Sequence, residues 1–226
     1  MKKKAAKVAF VHSLPILCSY LFLGTAYGML MAEAGFPWLE SLLISVTVYT
    51  GAFQFVLITF LSGGASLLTV ALTAMLMGSR QTFYSLTYLK EFQQMGKRKW
   101  YMIASMTDET YAVNGTLAEL PDEERRESMF WLALFSHCYW AIGSVLGGMV
   151  GQLIPFDLEG IDFCMTALFV IIFLDQWEKT ENHLPAIAGM AIGILCLLLF
   201  GKSSFMLPAL ILTSGLLLAM QRKEQA

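Results

Sequence analysis

From Val8 to Ala32, from Ser41 to Ser79 and from Ser128 to Phe156 the chain carries no Asp, Glu, Lys or Arg. Apolar runs of that length decide the fold class. About 20 apolar residues cross the hydrocarbon of a bilayer as a helix. The whole chain is 57% hydrophobic and only 14% charged, with a mean hydropathy of +0.62. A soluble domain of 226 residues cannot hide that much apolar surface in one core. In lipid the backbone must satisfy its own polar groups, as helices or as a closed barrel. The runs lack the period-two alternation of a barrel. The expected fold is an all-α polytopic membrane protein, a single transmembrane domain over residues 1–226 with seven or eight membrane helices, some of them broken.

On that ruler, spans fall near 8–32, 38–61, 65–90, 128–152, 161–176, 184–200 and 202–220. The segment near 100–118 is apolar at both ends but holds Asp108, Glu109 and Asn114 between them. It either crosses, or enters and re-emerges. The soluble stretch is Glu119–Ser128, where Pro121 followed by Asp122, Glu123 and Glu124 suits the start of a helix. No extramembrane segment is long enough to fold alone, which argues against ATP hydrolysis in this chain.

Lys2, Lys3, Lys4 and Lys7 crowd the N-terminus and favour a cytoplasmic start. A signal cleaved at Ala32-Glu33-Ala34 is the rival reading, but the apolar stretch before it is too long and further spans follow. If eight segments cross, the inside ends hold Lys2, Lys3, Lys4, Lys7, Arg125, Arg126, Lys179, Arg222 and Lys223. The outside ends hold Lys90, Lys97, Arg98, Lys99 and Lys202. The bias is right, but the Lys97-Arg98-Lys99 run is misplaced, a misfit that points to a segment that does not span fully.

Tyr20-x3-Gly24-x3-Gly28 in the first span recurs as Tyr139-x3-Gly143-x3-Gly147 in the fifth, and each stretch then reaches a proline, Pro37 and Pro155. Small residues every four let helix backbones approach closely, which is sufficient reason for the pattern. The sharper reading is an internal duplication with halves near 8–90 and 128–200 and the 100–118 segment between them. Cys18, Cys138, Cys164 and Cys196 are scattered without metal-ligand or redox spacing. His12 and His137 read as hydrogen-bonded helix contacts rather than proton relays. No metal, cofactor or nucleic-acid signature appears.

Few polar groups lie inside the apolar segments. Charges are costly there and mark a substrate or ion path by default. Tyr49-Thr50-Gly51-Ala52-Phe53-Gln54 sits mid-span, and unwinding at Gly51 would free backbone groups to bind a small solute. The competing reading has Gly51 permitting close packing and Gln54 bonding a neighbouring helix. Arg80 lies well inside the third span, beside Gly78 and Ser79, which suggest another helix break. Its natural partners are Asp108 and Glu109. These acids fall on neighbouring helix faces, with Tyr111 and Asn114 adding polar capacity. A fixed ion pair locking the helices is one account of them. A transport site is the other: a zwitterion needs a cationic or helix N-terminal site for its carboxylate and an acid for its ammonium. Asp175, near the end of the sixth span, is a secondary candidate.

Several stretches in order resemble the AzlC family. They are Leu14-Pro15 with Gly24 and Gly28, Thr50 to Phe55, Arg80 to Tyr84, Thr107 to Thr110, and Asp162-Phe163 with Ala167-Leu168-Phe169. The likeness runs over nearly the whole chain. It implies a permease of the bacterial inner membrane that exports branched-chain amino acids with a small separate membrane partner of the AzlD type. Gly78 and Gln81 depart from the Asn-x-Arg-His common in that family, so no imidazole sits beside Arg80. Any pH dependence then falls to Asp108 or Glu109.

The expected function is a secondary exporter of branched-chain or similar apolar amino acids, driven by the proton gradient. Arg80, Asp108, Glu109, Gln54, Gly51, Tyr49 and Asn114 are its candidate binding and coupling residues. The alternative is a non-transporting assembly subunit whose buried charges lock helices together. An enzyme acting on lipids is disfavoured, since no nucleophile–base pair or metal-ligand spacing lies near an interface.

Overall fold

The computed structural model describes residues 2–153, 182–201 and 208–216, with residues 170, 173–174, 177–178 and 205. Among the described residues there are helices and no strands. The chain divides into two compact units, Met1–Ser62 with Gly78–Asp162, and Gly63–Met77 with Phe163–Ala226.

The first unit is built on two helices, α1 (Lys2–Glu33) and α8 (Asp122–Leu153). Among the described residues these two are long and apolar enough to cross a membrane by length and composition. They lie side by side and parallel, because their contacts advance together. Lys4 pairs with Glu124 at 3.0 Å, Phe10 meets Phe135 at 6.0 Å between ring centroids, and Ser13 meets the Tyr139 hydroxyl at 3.0 Å. Further along, Gly24 faces Gly143, and a Cβ on Gly151 would meet the Ala32 Cβ at 2.8 Å. Lys4 and Glu124 mark the near end of the pair, and Ala32 and Gly151 the far end.

The two Tyr-x3-Gly-x3-Gly stretches pack on each other in this pair. A Cβ on Gly24 would meet the Trp140 carbonyl at 2.9 Å, and one on Gly143 the Leu21 carbonyl at 3.1 Å. A Cβ on Gly28 would run into the Ser144 carbonyl, and one on Gly147 into that of Thr25. The contact is reciprocal, so the motif brings two backbones together as the small-residue reading expects.

Where a single span is expected near 38–61, and where 100–118 is expected either to cross or to enter and re-emerge, the chain forms pairs of short helices. The first pair is α2 (Trp38–Thr47) and α3 (Ala52–Gly63). The second is α6 (Lys99–Ala104) and α7 (Asp108–Thr116). Between the pairs come α4 (Leu67–Thr87), α5 (Leu89–Gln93) and a 3-10 turn over Gly96–Arg98. The break expected beside Arg80 is absent: α4 continues through Gly78 and Ser79. A single glycine costs a helix only about 1 kcal/mol, which the other residues of α4 outweigh.

In the second unit, α9 (Leu184–Phe200) coincides with the expected span 184–200, and residues 208–216 are helical within the expected span 202–220. Gly189 of α9 lies against Thr213, 3.4 Å from where its Cβ would stand. Most of the expected span 161–176, with Asp162, Phe163, Cys164, Ala167 to Phe169 and Asp175, lies outside the described residues.

Candidate functional site: two helical hairpins meeting at mid-depth

The first hairpin enters the first unit from the far end. Trp38 lies against Gly148, whose Cβ would stand 2.9 Å from it. Two turns on, the Ser45 hydroxyl donates to that of Ser144 at 2.8 Å, and the Ser45 carbonyl accepts from His137 Nε2 at 3.2 Å. Tyr49 then stacks on His137 at 4.2 Å. These contacts step back along α8, so α2 runs toward the near end. The chain reverses there. Gln54 Nε2 returns to the Ser45 hydroxyl at 3.4 Å, and Phe55 packs on Tyr27 at 5.7 Å. Had the helix continued, Gln54 would lie more than a turn beyond Tyr49.

Gly51 makes this reversal. Its φ is +55°, a left-handed conformation that costs an L-residue about 1–2 kcal/mol. Nothing lies within 4 Å of where its Cβ would be. The close-packing reading of Gly51 is therefore corrected: the backbone angle requires the glycine, and packing does not. The reading of Gln54 as a bond to neighbouring helices does describe its amide group. The chain Gln54 Nε2 to Ser45 Oγ to Ser144 Oγ to the Trp140 carbonyl ties α3 to α2 and α2 to α8.

The second hairpin enters from the near end. Arg98 pairs with Glu127 at 2.9 Å, and Arg125 of α8 pairs with Glu91 at 3.2 Å. The Tyr101 hydroxyl then reaches His137 Nδ1 at 3.2 Å. At the tip, Thr107 Oγ1 lies 2.7 Å from the Tyr20 hydroxyl, which also donates to Glu109 Oε2 at 2.6 Å. By Thr116 the chain is back beside His12, at 3.1 Å. The 100–118 segment thus enters and re-emerges. A capping box starts α7: Thr107 and Thr110 each accept the other's backbone N–H, at 3.3 and 2.9 Å. That satisfies two donors which apolar surroundings would leave bare.

This geometry removes the charge misfit. Lys90, Lys97, Arg98 and Lys99 flank the base of the second hairpin, at the same end as Lys4, Arg125 and Arg126. Counting 38–61 and 100–118 as crossings had placed them opposite.

The two tips meet around Tyr20 of α1 and His137 of α8. Tyr20 is buried, packs edge-on to Tyr49 at 6.4 Å and to Trp140 at 5.4 Å, and holds Thr107 and Glu109 with its hydroxyl. Trp140 in turn packs with Tyr27 and Phe55 at 6.2 and 6.4 Å. Neither Tyr20 nor His137 stands among the candidate site residues of the sequence. Tyr20 was visible only as the first position of the packing motif, although a tyrosine there exposes its hydroxyl to lipid unless a partner is found.

Of the expected site residues, the structure brings Tyr49, Gly51, Gln54 and Glu109 to the two tips. Asp108 and Glu109 occupy the first turn of α7, both partly buried. Their charge is favourable at a helix N-terminus. The first turn of α3 holds no acid, so its positive end is not offset in that way. Asn114, 1% exposed, stands farther along α7. Gln54 Oε1, Asn114 Oδ1 and Trp140 Nε1 are buried and make no hydrogen bond among the described residues. The Arg80 backbone is in α4, but its side chain lies outside the described residues, and with it the expected pairing to Asp108 and Glu109. Among the described residues no group of three or more His, Cys, Asp and Glu is placed to hold a metal.

Comparison with known proteins gives this arrangement a family. The model of the family described as AzlC protein matches residues 15–154. A membrane protein of Helicobacter pylori is 40% identical over 92% of this chain and 92% of its own length. The branched-chain amino acid transport protein AzlC of Bacillus subtilis is 34% identical over 96% of this chain and 86% of its own. The inner membrane protein YgaZ of Escherichia coli is 32% identical over 88% of this chain and 82% of its own. No solved structure matches. Both long helices of the first unit and both hairpins fall within the matched residues, apart from the first turns of α1, and the chain belongs to the AzlC family.

Proposed function

We propose that this chain is a secondary transporter of branched-chain or similar apolar amino acids in the bacterial inner membrane. Transport is outward, driven by the proton gradient, and requires a small membrane partner of the AzlD type. The name of the Bacillus subtilis relative supports the cargo. The observation that carries the reading is the meeting of two helix breaks at mid-depth, from opposite ends of the α1–α8 pair. Broken helices place N–H ends and carbonyl ends inside a membrane, where a zwitterion needs both. The N-terminus of α3, where Gly51 turns the chain, suits a carboxylate, and the role proposed for Arg80 from the sequence is charge balance or a hold on that carboxylate. The ammonium suits Glu109, with Asp108 beside it, and the carbonyl ends of α2 and α6. The apolar side chain then lies against Tyr27, Phe55 and Trp140. With Lys4, Lys97 and Arg125 at the near end, that face is cytoplasmic.

Labelled leucine or isoleucine in vesicles holding this protein and its partner tests the proposal. Gradient-driven flux that a protonophore abolishes supports it. Flux indifferent to the gradient removes the proton coupling, and no flux at all removes the substrate. The dense bonding of Tyr20, Thr107 and Glu109 keeps a second reading open, that of an assembly subunit whose charges lock helices. Asp108→Asn separates the two: a transporter assembles with its partner but loses flux, whereas a lock loses assembly.

A further inference from the structure

We propose that His137 is a positioning residue that seats both hairpins on the α1–α8 pair and so suppresses the state in which both are open. The proposal rests on the transport reading above. His137 is the side chain of α8 that engages both hairpins through ring nitrogens. Nε2 faces the Ser45 carbonyl at 3.2 Å, and a carbonyl only accepts, so Nε2 carries the proton. In the neutral ring Nδ1 is then the acceptor, and the Tyr101 hydroxyl, which also lies 3.5 Å from the Ala133 carbonyl, donates to it at 3.2 Å. The ring stacks on Tyr49 at 4.2 Å and 20°, and lies parallel to the Tyr101 ring at 6.0 Å and 13°.

Each partner stands on the inward-running arm of its hairpin. Ser45 stands in the last turn of α2, where carbonyls run out of intrahelical donors. The Ile44 carbonyl takes the Val48 N–H at 2.7 Å, and the Ser45 carbonyl takes His137. Tyr101 stands in α6, whose next step is the break at Ser105. The post itself does not yield easily, because α8 is held to α1 by glycine contacts with no room for a Cβ. A hairpin that moves away strips one ring nitrogen of its partner. Opening both forfeits the two bonds and the Tyr49 stack together, a larger penalty than opening either hairpin alone. A transporter with both ends open is a leak. His137 therefore keeps the coupling tight without carrying the proton.

Three full-length variants reconstituted with the partner test this. His137→Leu removes both bonds, Tyr101→Phe removes one, and His137→Gln retains a donor for Ser45 and an acceptor for Tyr101. In His137→Leu, gradient-driven accumulation of labelled leucine falls on the order of ten-fold while downhill flux is kept or raised. Tyr101→Phe lies between it and the parent, and His137→Gln stays close to the parent. If His137→Gln loses accumulation as fully as His137→Leu, the ring is needed as a proton carrier and the proposal is overturned. It is also overturned if downhill flux and accumulation fall together, or if neither changes. Should the parent protein carry no leucine, the transport reading fails, and hydrogen exchange still reads the clasp. His137→Leu then speeds exchange at residues 47–51 and 104–108, and His137→Gln does not. Equal exchange in all variants at those residues overturns the clasp itself.

Discussion

Glycines at three places in this chain do three different things, and their substitution separates the reasons. At Gly28 and Gly147 a Cβ would run into backbone carbonyls of the facing helix, which cannot rotate away as a side chain can. Overpacking of that kind costs about 1–3 kcal/mol, and here the upper part of that range or more. Gly28→Ala should lower the thermal midpoint in detergent, and an unchanged midpoint would show that α1 and α8 are not so closely apposed. At Gly51 space is open but φ is +55°, so Gly51→Ala costs about 1–2 kcal/mol and Gly51→Asn less, because Asn tolerates that region. At Gly78, inside α4 with open space around it, Ala should be neutral or stabilise by up to about 1 kcal/mol. Tyr20 is a second residue whose role depends on where its end arrives. Tyr20→Phe keeps the ring but leaves Glu109 without a donor at 2.6 Å, a loss of about 1–3 kcal/mol. Chemical unfolding of the purified protein measures it, and equal stability would mean Glu109 finds another donor.

At the scale of elements, length and apolarity do not tell a helix that crosses from a pair that turns back. Residues 38–61 and 100–118 satisfy the ruler for a span, or nearly so, in either case. The sequence does carry local signs of the turns. Gly51 marks one, and Thr107 with Thr110 marks the other, since a side chain that caps a helix start belongs at a helix end. The reversal itself is visible only in partners far along the chain, such as Gln54 with Ser45 and Thr116 with His12. The cap predicts its own test. Thr107→Ala should cost about 0.5–2 kcal/mol and raise hydrogen exchange over the first turn of α7, while Thr107→Ser should restore protection. Exchange that is the same in Thr107→Ala as in the parent would mean tertiary contacts, not the cap, hold that turn.

At the scale of the molecule, two hairpins that enter from opposite ends change which charges share a face. With both hairpins returning to the end they came from, Lys3, Lys97 and Ala118 lie toward one end of the α1–α8 pair and Gly35 toward the other. Single cysteines at Lys3, Lys97 and Ala118 should therefore react with an impermeant thiol reagent from one side of a sealed vesicle, and one at Gly35 from the opposite side. Labelling of Lys97→Cys and Lys3→Cys from opposite sides would restore eight simple crossings. The same-side result also accounts for the Lys97-Arg98-Lys99 run, which a count of crossings along the sequence had set against the positive-inside rule.

Helices, the solvent they fold in and the family were determined by the sequence itself, because apolar runs without alternation and an ordered set of short motifs are local properties of the chain. So was the presence of polar groups where lipid gives them no partner. Which of those groups meet was decided by tertiary structure alone. Tyr20 and Glu109 are 89 residues apart, and His137 is 92 from Ser45. No periodicity encodes such pairings: they arise when backbones close enough for glycine alone set α1 against α8, and when two hairpins, each turning inside the fold, bring their tips to the same depth.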